Sequence, residues 1–293
     1  MPKVYIKFPK TGLGNMMLVW ARGIVFAKIN NIPVVTSSWW GLRWGALIRR
    51  EQRKRLYWGY FKESSFFKRI ITKAKSNRRK VKYEPVIQKM DADELCQNDL
   101  YVFNKVITND DLFFGIRDNK SIVEEELYNI LTPKMKVQLQ QFIVPEIGIH
   151  IRRGDFKLGN PITPLSFFIK GINLIRTNTG KNLSVTIFTD ADKSELEEIL
   201  QLSNVSLAEK KPDILDILLL SKSKIIFLSR SSSFSYWAAF LSEAMVIRPV
   251  NDWQEIIKKN NSNYQEVKWE ETDESLTKEF VTRIKGLTVH SNY

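Results

Sequence analysis

The chain has little of what thiol enzymes and metal centres are built from. Its 293 residues include one cysteine, Cys96, and two histidines, His150 and His290. A single cysteine excludes an internal disulfide and points to a reducing compartment. The same inventory leaves no Cys/His cluster for zinc. No Ser-His-Asp order with a nucleophile elbow occurs either, so hydrolysis by these routes drops out. No run of 18 apolar residues appears, so nothing reads as a bilayer span. The first residues, Met1-Pro-Lys-Val-Tyr-Ile-Lys-Phe8, enter a strand with no secretory core. The expectation is a cytoplasmic protein.

What is present is basic charge, and it is concentrated. The formal charge is +13, yet residues 43–82 hold 15 Lys and Arg against Glu51 and Glu63 alone, so the rest of the chain is neutral overall. Trp44, Tyr57, Trp58, Tyr60, Phe61, Phe66 and Phe67 are interleaved with those charges, and Trp39 and Trp40 precede them. That mixture fits an anionic membrane surface. It also fits a nucleic acid read by stacking and phosphate contacts, or a solvated loop with inward-packed rings. The membrane surface is the reading adopted, which places the protein peripherally on the inner face of the membrane with no nucleic-acid partner.

Periodicity gives an α/β chain. Val4–Phe8 reads as a strand, Thr11-Gly-Leu-Gly-Asn15 as a glycine turn, Met16–Asn30 as a helix with one apolar stripe, and Pro33–Ser37 as a strand. Pro85–Gln97 reads as helix, Leu100–Ile107 as strand, and Ser121–Leu131 and Pro133–Phe142 as helices. From residue 147 short strands and helices alternate to Pro249, as in a parallel sheet, and Ser275–Gly286 reads as a closing helix. Two domains are expected, 1–144 and 145–293, meeting at Val144-Pro-Glu146.

Four short stretches carry candidate chemistry. In Ile147-Gly-Ile-His-Ile-Arg-Arg-Gly-Asp-Phe156 a buried strand ends in two guanidiniums, a glycine and a carboxylate. Paired arginines suit a diphosphate, and a structural Arg–Asp bridge is the alternative. Thr189-Asp-Ala-Asp192 admits a metal clamp, or a helix cap in which Asp192 pairs with Glu195. Ser229-Arg-Ser-Ser-Ser-Phe-Ser235 lies before a helix, as an anion site or a plain N-cap. Asp216, among apolar neighbours in Leu215-Asp-Ile217, suits the two N–H donors of a guanine edge, or is a helix-surface carboxylate.

In this order the elements Gly12-Leu-Gly-Asn15, His150-Ile-Arg-Arg-Gly-Asp155, Phe188-Thr-Asp190, Leu215-Asp-Ile217 and Ser232-Ser-Phe-Ser-Tyr-Trp-Ala-Ala239 resemble the alpha-1,2-fucosyltransferase family. That family is related to the protein O-fucosyltransferases and alpha-1,6-fucosyltransferases. The resemblance covers roughly residues 3–30 and 146–244. It implies a GT-B type architecture, two Rossmann-like domains facing each other across a cleft. It also implies an inverting transfer of L-fucose from GDP-fucose to a galactoside hydroxyl, with no metal and no cofactor. The acceptor would be a glycan or a lipid-linked oligosaccharide. By motif, Arg152 would grip the β-phosphate, and Asp216 would read guanine. Ser232, Ser233, Phe234 and Ser235 would hold the phosphates, with Asp190 also donor-binding. Gly14 and Asn15 would approach the sugar and phosphate from the N-terminal domain. His150 and Asp155 are the candidate bases. Thr11, Met16, Phe156 and Ala191 depart from the family's usual glycine, glutamine, tyrosine and second acidic residue. Two rivals remain: a transferase of the same fold with another sugar nucleotide, and a non-catalytic nucleic-acid-binding protein using residues 43–82.

Overall fold

The computed structural model describes residues 1–41, 56–65, 80–107, 111–154, 162–273 and 275–289. Most of the basic window, together with Asp155, Phe156 and His290, lies outside them. The described residues form two units, one ending at Gln140 and the next beginning at Gln141. Each carries a parallel sheet, so the class is mixed α/β.

The first unit contains β1 (Lys3–Ile6), α1 (Leu13–Ile29), β2 (Val34–Thr36), β3 (Lys80–Tyr83), β4 (Asp99–Phe103), α2 (Lys120–Ile130) and α3 (Pro133–Gln140). Its sheet order is β2-β1-β4-β3, parallel throughout. Every residue of α1 from Leu13 to Ala27 is buried except Asn15, which is half-buried, so this is a core helix rather than one with a single buried stripe. Arg22 is buried with the rest and donates to the Lys105 carbonyl at 2.5 Å and to Glu84 at 3.2 Å. Burial pulls its pKa down, and Glu84 opposes that pull.

Residues 85–97 do not form the expected helix; only Ala92–Glu94 makes a 3-10 turn. The reason is a competing set of hydrogen bonds. Asn30, capping the end of α1, donates to the Gln88 carbonyl at 3.0 Å and accepts from the Met90 amide at 2.8 Å. Backbone groups that a helix would have used are spent on a side chain from elsewhere.

The second unit contains β5 (Ile147–Ile151), α4 (Leu165–Thr179), β6 (Val185–Thr189), α5 (Glu197–Leu200) after a 3-10 turn at Lys193–Leu196, β7 (Val205–Leu207), α6 (Asp213–Leu220), β8 (Ile225–Phe227), α7 (Ser233–Leu241), β9 (Met245–Pro249), β10 (Gln265–Trp269) and α8 (Lys278–Val289). The sheet order is β10-β9-β8-β5-β6-β7, again all parallel. The chain first winds outward from β5 through β6 to β7. It then returns to β8 on the other side of β5 and winds out through β9 to β10. The reversal between β5 and β8 is the topological switch point of a Rossmann-like sheet, where ligands bind outside the carboxyl ends of the strands.

β5 is buried along its whole length because helices cover both faces of the sheet. Ile147, Ile149, Ile151, Ile187 and Phe227 pack with Phe167, Phe168, Ile172 and Ile175 of α4. Burying each such side chain contributes about 1.5–3 kcal/mol. Gly148 sets a close approach: a Cβ there would strike Ser223 and Leu220 at the end of α6. Its smallness therefore lets α6, the helix that carries Asp216, lie against β5. β10, an edge strand, was not expected from the sequence, and it extends the sheet beyond β9.

Candidate functional site

The carboxyl ends of β5 and β8 are tied together by one hydroxyl. Ser229 Oγ donates to the His150 carbonyl at 2.7 Å and accepts from the Arg152 amide at 2.9 Å. Ser229 follows β8 and the other two groups belong to the end of β5, so this serine bridges the switch point. The sequence put Ser229 in the serine segment but gave no sign of this role, which exists only once β5 and β8 pair.

Beyond β5 the chain must turn sharply. Gly154 has φ +32, and a Cβ there would run into the Asp190 carboxylate. That carboxylate, at the end of β6, accepts the Arg153 amide at 2.7 Å through Oδ1 and pairs through Oδ2 with the Arg152 guanidinium. Asp190, expected as a donor-binding residue, accepts the Arg153 amide and pairs with the Arg152 side chain. The Arg152 side chain stays 22% exposed and can still present N–H groups outward.

Arg153 is buried and donates to the Arg152 carbonyl at 3.0 Å. Burial lowers its pKa, while Glu195 and Asp190 raise it. Its role is structural. Asp192 and Glu195 form a capping box, with the Asp192 amide donating to Glu195 at 3.0 Å. Among the described residues no group of three His, Cys, Asp or Glu side chains is arranged to hold a metal ion.

His150 is only 3% exposed. Its Nδ1 lies 2.6 Å from Ser235 Oγ, and its ring stacks on Phe234 at 4.6 Å and 20°. Ser235 is fully buried. Its hydroxyl meets the His150 imidazole. Phe234 likewise braces His150. Ser232 is the N-cap of α7 and Ser233 its first residue. Ser231 takes φ +55, with its amide 3.3 Å from Asp252 Oδ1, so the turn into α7 is held from β9's side of the sheet. The first amides of a helix have no partner within it and carry the positive end of its dipole. An anion at the β5/β8 junction would meet them.

Asp216 sits in the first turn of α6, which packs against α7, and is 1% exposed. A helix-surface aspartate is thereby excluded. Gly14 and Asn15 lie in the first turn of α1, in the first unit, Gly14 buried and Asn15 half-buried. Asp155 lies outside the described residues. The second unit thus brings Arg152, His150, Asp190 and the 229–235 turn into one connected cluster at the switch point.

Three comparisons bear on this arrangement. The model of Glycosyl transferase family 11 matches residues 90–275, well over half of the chain. That span takes in residues 90–145, where the sequence motifs gave nothing. No curated protein sequence matches the chain. Among solved structures, the NodZ alpha-1,6-fucosyltransferase co-crystallized with GDP is similar at 13% identity, covering 83% of this chain and 93% of that one, with a TM-score of 0.50. Fucosyltransferase NodZ from Bradyrhizobium is similar at 14% identity, covering 83% and 94%, also with a TM-score of 0.50.

Proposed function

Starting from a chain that belongs to glycosyl transferase family 11, a fucosyltransferase family, we propose that it transfers L-fucose from GDP-fucose to a galactoside hydroxyl with inversion, forming an alpha-1,2 linkage. The observation that carries this reading is the junction of Arg152 and the α7 N-terminus, clamped by Ser229 across the switch point.

Transfer breaks the bond between the sugar's anomeric carbon and a β-phosphate oxygen, and negative charge builds on the departing GDP. Arg152 meets that charge with the planar fork of its guanidinium, and the amides around Ser232 and Ser233 add oriented dipoles. Asp190 fixes the guanidinium before the donor arrives, so little reorganisation is left for the reaction itself. Asp216 accepts the two guanine N–H groups. The fixed, buried ring of His150 shapes the floor of the phosphate site. The acceptor hydroxyl must lose a proton as it attacks from the opposite face of the sugar. Asp155 is the candidate for that proton, in preference to the enclosed imidazole.

The acceptor is read as a glycan or lipid-linked oligosaccharide reached at an anionic membrane surface. Supporting this, Trp58 of the basic window is 70% exposed and forms an edge-on pair with the exposed Trp40 at 5.1 Å. Among the described residues no helix is long and apolar enough to cross a membrane. Each Lys or Arg near an anionic leaflet adds about 1 kcal/mol, so a handful suffices for reversible attachment. Equal recovery with neutral and anionic liposomes would remove this part of the proposal.

The central test is a panel of sugar nucleotides in EDTA, scored for release of the nucleoside diphosphate. Turnover of GDP-fucose in chelator is expected. Turnover of a different donor would replace the sugar, and activity recovered only with Mn²⁺ would restore a metal role for Asp190 and Asp192.

A further inference from the structure

The turn that presents the first amides of α7 is held from behind by one buried carboxylate. Ser231 has φ +55, a left-handed backbone that a serine keeps only where its surroundings fix it. Its amide donates to Asp252 Oδ1 at 3.3 Å, and the Tyr236 hydroxyl donates to the same oxygen. Ser231 precedes α7 and Tyr236 lies within it. One oxygen thus bonds on both sides of residues 232–235, whose amides an anion at the β5/β8 junction would meet. Ser229, just before this stretch, accepts the Arg152 amide at 2.9 Å. The segment is therefore pinned at one end to the strand of Arg152 and at the other to Asp252.

Asp252 is itself fixed from several directions. It follows β9, its amide donates to the Pro249 carbonyl at 3.1 Å, and its carbonyl accepts from Lys268 Nζ at 3.0 Å. Its second carboxylate oxygen faces the Arg248 guanidinium at 3.5 Å. That guanidinium also bonds to the Gln254 and Glu255 carbonyls and lies 3.6 Å from Glu266. The Asp252 side chain is 0% exposed, so it has no surface with which to touch a donor. Burying an ion pair adds little net stability, because desolvation offsets the attraction. What this pair supplies is geometry, an acceptor held in one place for two donors of the serine turn.

We propose that Asp252 is a positioning residue for the transfer: through Ser231 and Tyr236 it sets where the first amides of α7 stand relative to Arg152, so that both meet one diphosphate. The inference rests on the reading of the β5/β8 junction as the diphosphate site. Oriented donors stabilise developing charge only while their placement is kept, and a displaced amide loses its contribution.

The test measures GDP affinity by titration calorimetry and kcat with GDP-fucose, on the full chain. Asp252→Ala removes both the acceptor and the ion pair. Asp252→Asn removes the ion pair but keeps an oxygen, which settles towards the two donors of the turn rather than the longer Arg248 contact. Both variants should lose stability. Asp252→Ala should bind GDP about 10-fold more weakly and turn over about 10-fold more slowly, while Asp252→Asn stays within about threefold of the parent in both. Parental affinity and kcat in folded Asp252→Ala would overturn the proposal, since the carboxylate would then serve the fold alone. Equal impairment of the two variants would also overturn it, because the lost charge and not the acceptor would be responsible. If Asp252→Ala does not fold, Tyr236→Phe decides: it takes one donor from the same oxygen, leaves the Arg248 pair, and should cost about threefold in GDP affinity and kcat. Parental values there would overturn the proposal. GDP binding without GDP-fucose turnover in the parent would strike at the transferase reading and leave Asp252 judged by GDP affinity alone. No GDP binding in the parent would overturn both.

Discussion

The carboxyl ends of β5, β6 and β8 and those of β9 and β10 belong to one row of strands, and the polar groups at both are paired, but to different depths. At the first, Arg152 meets Asp190, His150 meets Ser235, and Ser229 bonds to both sides of the switch point. At the second, Asp252 is met by Arg248 and Tyr236, and Lys268 bonds to its carbonyl. The Arg248 side chain is 2% exposed against 22% for that of Arg152. A group that is to stabilise developing charge gains from being locked before the substrate arrives, but it must also keep a face towards solvent. One network is thus open at its edge and the other sealed.

The strongest way to break this contrast is at Arg152. Removing one transition-state donor typically costs about 100- to 1,000-fold in turnover, and Arg152→Ala is expected in that range. Arg152→Lys keeps the charge but loses the fork, with a loss of at least about tenfold. Steady-state kinetics with GDP-fucose reads both. Unchanged turnover in Arg152→Lys would make the Asp190 pair a structural bridge and remove the catalytic half of the comparison.

Ser229→Ala comes next. It deletes both hydrogen bonds across the switch point and leaves the Arg152 amide and His150 carbonyl to find other partners. About 1–3 kcal/mol of stability should be lost, read by urea denaturation. If Ser229 also positions Arg152, kcat should fall while the GDP-induced shift in midpoint persists. A drop in stability alone would confine Ser229 to the fold.

How far the sequence could be read depends on how far apart in the chain the meeting groups lie. Strands buried on both faces, such as Ile147–Ile151 and Met245–Pro249, announce themselves by apolar runs, and Asp213–Leu220 by its apolar density. The strands that were not foreseen, Lys80–Tyr83 and Gln265–Trp269, are both sheet edges. Edge strands mix charged and apolar residues, which blunts further pairing and makes them resemble loops. Pro85–Gln97 failed as a helix because Asn30 takes its backbone groups, a contact spanning about sixty residues that no local window contains. Within the site, Arg152, Asp216 and the serine turn were legible as residue types in a recognisable order. The roles of Ser229, Ser235 and Asp190 were not, because each depends on which strand ends become neighbours.

A pH experiment sharpens the comparison from the side of β9 and β10. The Tyr236 hydroxyl donates to Asp252 and Tyr264 donates to Glu266. Burial first, then the neighbouring carboxylate, pushes both phenols above the ordinary tyrosine value near 10. The folded state therefore keeps protons that the unfolded chain releases. The stabilisation is fully present below pH 10 and is lost as pH rises beyond it, at about 1.4 kcal/mol per pH unit for each tyrosine. Tyr236→Phe should flatten the fall between pH 10 and 11 by about one proton's worth, in urea midpoints at fixed salt. Identical slopes in variant and parent would show that Tyr236 keeps no proton that the unfolded chain gives up.

The smallest expected effect separates a cap from a clamp. Asp192 and Glu195 satisfy amides at the start of the turn that leads into α5, and losing an N-cap side chain typically costs about 0.5–2 kcal/mol. Asp192→Ala should lower stability by that amount and leave GDP-fucose turnover in EDTA unchanged, since Asp192 has no part in the β5/β8 cluster. Asp192→Asn and Asp192→Ser retain a capping oxygen and should recover most of the stability, which a metal ligand's replacement would not do. If Asp192→Ala instead abolished turnover at full stability, the carboxylate would belong to the donor site. The β5/β8 side of the sheet would then hold a functional group that its hydrogen bonds disguise as structure.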